Sequence, residues 1–146
     1  MLAEIAGLDF QKGYKRLVQA CATDDLATFS KYIHQLSTIE FKNEKGWTLL
    51  IMASFAHSYE IVKRLLEMGA DVNAANHKGT TVLMYAKTKV KENNNFQFLD
   101  FLIEKGANLI ATDVAGKNVL NYVKETKDES LVKYFEKQLT AIKNGK

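Results

Sequence analysis

Apolar residues along the chain recur on two scales. Within short segments they fall three and four positions apart, the spacing of one face of an α-helix. Tyr59, Ile61, Val62, Leu65 and Leu66 form one such stripe, and Phe96, Phe98, Leu99, Leu102 and Ile103 form another. The segments themselves also repeat. Gly46-Trp47-Thr48-Leu49-Leu50-Ile51-Met52-Ala53 returns 33 positions later as Gly79-Thr80-Thr81-Val82-Leu83-Met84-Tyr85-Ala86. Leu17, Leu50 and Leu83 keep the same step, as do Ala20, Ala53 and Ala86, and Gly13 precedes Gly46 by it. The next frame, Gly116 to Val123, starts 37 positions after Gly79, and Gly69 and Gly106 are also 37 apart. Four residues are therefore inserted between Ala86 and Leu102, most naturally within Lys89 to Asn95.

Each unit reads as turn, helix, short turn, helix. Thr48, Thr81 and Asn118 stand just before apolar-periodic segments, where a side-chain oxygen can accept an orphan backbone N–H. Lys15 holds the matching place in the first unit and cannot do this, so the first helix must start differently. Gly69 and Gly106 follow the second helices and suit the left-handed position at a helix end. Asp71, Asn73, Asn76 and Gly79 supply turn chemistry. The pattern predicts helical hairpins over about 14–36, 47–68, 80–105 and 117–142. Residues 1–12 are expected to add a turn of helix over the first unit through Leu2, Ile5 and Leu8. The four extra residues either lengthen the first helix of the third unit by one turn or bulge as a loop at Lys91 to Asn95, and tolerated surface variation is the favoured reading. One helix pair cannot bury its own stripe, but a neighbour of the same shape can, which is why the pattern must recur in register. Burying a Leu, Ile or Phe yields about 1.5–3 kcal/mol, against an ordering cost of about 1–2 kcal/mol per residue.

The residues resemble the ankyrin repeat, whose frame is Gly-x-Thr-Pro-Leu-His-x-Ala followed by Leu-Leu-x-x-Gly-Ala-Asp-Val-Asn. Leu65-Leu66-Glu67-Met68-Gly69-Ala70-Asp71-Val72-Asn73 matches the second motif outright, and the Gly46 and Gly79 frames match the first without its Pro. The resemblance covers roughly residues 13–140 and implies an all-α solenoid of about four helix-turn-helix units with degenerate terminal caps. The whole chain, 1–146, is expected to be a single domain with units at about 13–45, 46–78, 79–115 and 116–142. Three departures stand out. The motif's Pro is Leu49, Val82 and Val119, and its His is Ile51, Met84 and Asn121. In the family that His helps tie adjacent loops, so the rigidity of the loop stack is put in question. Leu36 and Asp24 also replace glycines in the first unit, which marks it as a cap, and Lys133, Glu136, Lys137 and Lys143 give the last unit a polar outer face.

Composition adds little to this picture. The chain has 146 residues, 47% hydrophobic and 25% charged, with no proline and a net charge of +3. Such a mild charge does not imply nucleic acid, and the longest apolar run, near Trp47 to Ala56, is too short to span a bilayer. No convincing signal-peptide core occupies residues 1–10. The single Cys21 excludes an internal disulfide and fits a reducing, cytoplasmic setting. By the repeat frame Cys21 is buried in a first helix without an adjacent base, so it reads as core. His34, His57 and His77 fall on different edges and read as solvated surface histidines. Asp24 and Asp25 lie in an interhelix turn and read as caps. Phe55, Tyr59, Tyr85, Phe96, Phe98 and Phe101 read mostly as core. No cofactor, metal or catalytic group is expected.

A protein-binding role through the concave side of the stack is what the resemblance implies, with loop tips and the ends of the inner helices as the contact surface. Carried over position by position, the candidates are Lys45, Trp47, Phe55, His77, Lys78, Thr80, Lys89 and Lys117. Trp47 is the sharpest of these, since Trp is enriched at interface hot spots; packing on its own loop is the competing account. The surrounding lysines would steer an acidic protein partner. Small stand-alone proteins of this kind resemble those that inhibit an enzyme or neutralise a toxin as an immunity protein. The free chain is expected to be a monomer. The alternative is a phosphate-rich ligand, RNA or a phosphoinositide, bound through the lysine-rich face.

Overall fold

Among the described residues eight α-helices pair in succession, each pair covering the apolar stripe of the one before. A computed structural model of the chain describes residues 2–145, with side chains from 10 to 144. The first pair is α1 (Leu2–Thr23) and α2 (Leu26–Tyr32), the latter running into one 3-10 turn, Ile33–Gln35. The second is α3 (Leu49–Phe55) and α4 (Tyr59–Glu67), the third α5 (Val82–Asn93) and α6 (Phe96–Glu104), the fourth α7 (Val119–Thr126) and α8 (Glu129–Gly145). Among the described residues there is no strand, only a single antiparallel bridge between Ala75 and Thr81.

The core is the expected row. Leu17, Leu50 and Leu83 are buried at equivalent places in successive pairs, as are Ala20, Ala53 and Ala86. The alanines let consecutive first helices approach closely. Ile61, Val62 and Leu65 of α4 and Phe98, Leu99 and Leu102 of α6 close the second layer, and Leu131 and Phe135 end it on α8. Leu66 is only partly buried.

Local chemistry starts and stops these helices. The Thr48 hydroxyl accepts from Ile51 N–H at 3.2 Å, Thr81 from Met84 N–H at 3.2 Å, and Asn118 from Asn121 N–H at 2.9 Å. Gly69 and Gly106 take φ of +96° and +103° just past α4 and α6. Leu36 cannot do so at comparable cost; α2 tightens into its 3-10 turn and the chain leaves through Leu36 at φ −84°, ψ 136°.

The first pair departs from the repeat frame. With no cap at Lys15 and no proline to stop it, α1 runs unbroken through Gly13, a buried helical glycine rather than the turn glycine its place in the frame indicates. The expected N-terminal turn is thus part of α1. The contacts expected of Leu2, Ile5 and Leu8 lie outside the described side chains. The four extra residues lengthen α5, which has 12 residues where α3 has 7. Val90 in this added turn is buried, so the turn packs and is not a loose bulge.

The loop stack lacks the family histidine yet is tied by other groups. His77 N–H donates to the Lys45 carbonyl at 3.4 Å and Val114 N–H to the Lys78 carbonyl at 2.9 Å. Lys42 Nζ reaches the Ala75 carbonyl at 3.1 Å, and Asn73 bridges to Gly106 and Asn108. Gly46 has φ +83°, and a Cβ there would lie 2.6 Å from His77 N, so the first of these ties needs glycine.

Candidate functional site

Three equivalent tips project from the stack, each organised by one side chain. Asn43 Oδ1 accepts from Lys45 and Trp47 N–H, both at 2.9 Å. Asn76 Oδ1 does the same for Lys78 and Thr80, and Asp113 Oδ1 for Ala115 and Lys117. These bonds turn each tip tightly and fix where the next residue, Trp47, Thr80 or Lys117, leaves the backbone.

Trp47 therefore lies against the next unit rather than on its own loop. Its ring is 4.8 Å from Tyr85 and 6.1 Å from Phe55, and Phe55 meets Tyr85 edge-on at 6.0 Å. Such edge-to-face and tilted pairs are worth about 0.5–1.5 kcal/mol beyond their burial. Tyr85 is held by its hydroxyl, which accepts from Asn76 Nδ2 at 2.9 Å. Phe55 stays 41% exposed. Beside this cluster opens a groove of 620 Å³, floored by Val18, Ala22, Met52 and Ala56 and rimmed by Lys45 and Lys89. Glu44 also lies on that rim.

The candidate residues divide by place. Lys45, Trp47, Phe55 and Lys89 meet at this groove. His77, Lys78 and Thr80 form the second tip, and the backbone of His77 and Lys78 is spent on the inter-loop bonds. Lys117 stands apart: it is paired with Glu125 and its ammonium lies 5.3 Å over the Tyr122 ring. Asp113, which accepts a hydrogen bond from the Tyr122 hydroxyl and others from its own tip, titrates below the usual carboxylate range. The spacing of the chain did not reveal Met52, Val18 or Ala22 as groove residues. The signal of Val18 and Met52 was weak, because they sit at half-buried positions that alternate with true core.

Two readings of single residues need correction. Of the six aromatics assigned mostly to core, only Phe98 is fully buried; Tyr59, like Phe55, is 41% exposed, and the rest are half-buried. His57 is not a solvated histidine. Its ring stacks on Phe98 at 4.4 Å, and burial holds its pKa below the ordinary value, opposed by its bond to the Ala86 carbonyl and assisted by Lys89. Cys21 is buried in the core, and burial, with Asp24 nearby, pushes its thiol up to about 12. A thiol so protonated is a poor nucleophile. Asp25 caps α2 through Thr28 N–H at 3.1 Å, while Asp24 reaches the next pair and accepts from Glu60 and Ile61 N–H at 3.2 and 3.0 Å. Among the described residues no group of three or more His, Cys, Asp or Glu side chains is placed to hold a metal ion, and no helix is long and apolar enough to cross a membrane.

Residues 17–113 match the family model described as ankyrin repeats, three copies. The chain belongs to the ankyrin repeat family. It is 34% identical over 85 residues to an ankyrin repeat protein of Acanthamoeba polyphaga mimivirus, covering 55% of this chain and 14% of that one. A second ankyrin repeat protein of the same virus is 51% identical over 49 residues, 31% of this chain and 8% of the relative. An ankyrin repeat domain-containing protein of cowpox virus (strain Brighton Red) is 29% identical over 93 residues, 64% of this chain and 13% of the relative. The chain thus spans less than a sixth of these curated relatives. Ankyrin repeats generally mediate protein–protein interaction and are typically not enzymes.

Proposed function

We propose that the chain binds a partner protein through the groove between α1, the first tip and α3, and that the partner offers an apolar side chain with a carboxylate beside it. One observation carries the reading: Trp47 and Phe55, with Tyr85 packed against both rings, line an apolar groove that Lys45 and Lys89 also line. Trp and Tyr are enriched among residues that dominate binding energy. The rim lysines favour acidic groups and raise the rate of encounter with them. In this reading the second tip, His77, Lys78 and Thr80, extends the contact, and Lys117, being paired with Glu125, adds little. The chain acts as a monomer until its partner binds, in a reducing, cytoplasmic setting that suits its one buried thiol. Inhibition of an enzyme or neutralisation of a toxin is one form such binding takes.

Phe55→Glu and Lys89→Glu test this on exposed or half-exposed positions. Each variant is expected to melt as the parent does and to lose at least tenfold in affinity for a partner that the parent captures from its native source, measured by titration calorimetry. Partner binding unchanged by both substitutions would place the interface elsewhere. A ligand whose affinity collapses between low and moderate salt would instead favour the phosphate-rich alternative.

A further inference from the structure

His57 occupies the turn between α3 and α4 with φ +59°. Three groups of the following pair hold its ring. Phe98 of α6 stacks on it with the planes 21° apart. Nε2 lies 2.7 Å from the Ala86 carbonyl of α5, and Nδ1 lies 3.0 Å from Asn93 Nδ2 at the end of the added turn of α5. The orientation of Asn93 is not free: its Oδ1 accepts from Asn95 N–H at 2.9 Å. The amide must therefore present its NH2 to His57. A carbonyl can only accept, and an amide NH2 can only donate. Together these two partners admit one form of the ring, the neutral imidazole with its proton on Nε2.

We propose that His57 is a pH-sensitive latch that ties the last turn of α5 to the second hairpin while neutral and releases it on taking up a proton at Nδ1. An imidazolium would set N–H against the Asn93 NH2. Asn93 can answer only by rotating its amide, which gives up the bond to Asn95 at the start of α6. The turn concerned is otherwise exposed at Lys91, Glu92, Asn93 and Asn94, so little else holds it beyond Val90. Lys89 of α5 is the charged group whose field acts on the ring, and it opposes the second positive charge. The face of α6 turned to the ring is the uncharged Phe98. The latch is independent of whether the groove takes a partner.

Nitrogen-15 NMR of the intact chain, labelled in histidine and in the backbone, tests this directly. Near neutral pH the His57 resonances are expected to show the proton on Nε2, with a titration midpoint below about 6.5, the ordinary histidine value. As the ring charges, hydrogen exchange at residues 91–94 is expected to quicken while that of α3 and α4 holds. Asn93→Asp, which sets a carboxylate against Nδ1, is expected to raise the midpoint by roughly one pH unit or more. A proton on Nδ1 at neutral pH, a midpoint at or above the ordinary value in the parent, or exchange at 91–94 that ignores the titration would each overturn the latch.

Discussion

The left-handed residue between the two helices of each pair is Asp24, His57, Asn94 or Lys127, with φ of 56°, 59°, 55° and 59°. None is glycine, and non-glycine residues there carry a cost of about 1–3 kcal/mol unless the side chain repays it locally. Asp24 does so by capping α4, and His57 by bonding and stacking with the third pair. Lys127 is exposed and has no such partner among the described hydrogen bonds. Lys127→Gly is therefore expected to stabilise the chain by about 0.5–1 kcal/mol, the strain relieved less the extra entropy of glycine. Asp24→Gly is expected to destabilise it by about 0.5–2 kcal/mol, because α4 loses its cap. Urea midpoints of the two variants, moving in opposite directions, check the contrast. The caps Thr48, Thr81 and Asn118 were legible in the chain because donor and acceptor lie three residues apart. Asp24 and His57 bond to residues 29–37 positions away, and no local pattern announces such a partner.

At the level of elements, the added turn of α5 is where the repeat frame and the molecule part most visibly. The spacing located the four residues but left open whether they lengthen a helix or form a bulge. Burial of Val90 and the Asn93 bond to His57 decide for the helix, facts that depend on the second pair and not on residues 89–95 themselves. Removing Lys89 to Glu92 leaves Asn93, Asn94 and Asn95 at the places that Ala56, His57 and Ser58 hold in the unit before. The shortened chain is expected to fold with the same circular dichroism signature per helix, to lose about 1.5–3 kcal/mol from the buried valine, and to titrate His57 closer to the free value. Much the same division holds for the groove. Trp47 was legible from its place after a turn glycine, whereas Val18 and Met52 were not, since a residue half in the core and half on a groove has the same spacing as one wholly inside.

Taken as a whole, the molecule depends on pH through groups that act in different windows. The pKa of His57 is lower in the folded chain than in the unfolded one. The unfolded state thus binds more protons between the two values, and stability falls as pH drops below about 6.5 towards the folded midpoint. Asp25 and Asp113 are also held low, by hydrogen bonds, but their contributions fade only below the carboxylate range. Urea titrations near neutral pH and at about pH 5 are expected to show a lower midpoint in acid, and His57→Gln is expected to remove most of the difference. The exchange across the first boundary has a broader consequence. Asp24 of the first pair supplies the cap of α4, and Ser58, which stands at the start of α4, spends its hydroxyl on the Cys21 carbonyl at 2.6 Å. Neither hairpin owns the groups that complete it. Trimming the gene back to Thr48 would strip a helix start and orphan a serine in one cut, so the segment from there onward should not survive as a free-standing fragment, and grafting work on this scaffold has to move both hairpins together.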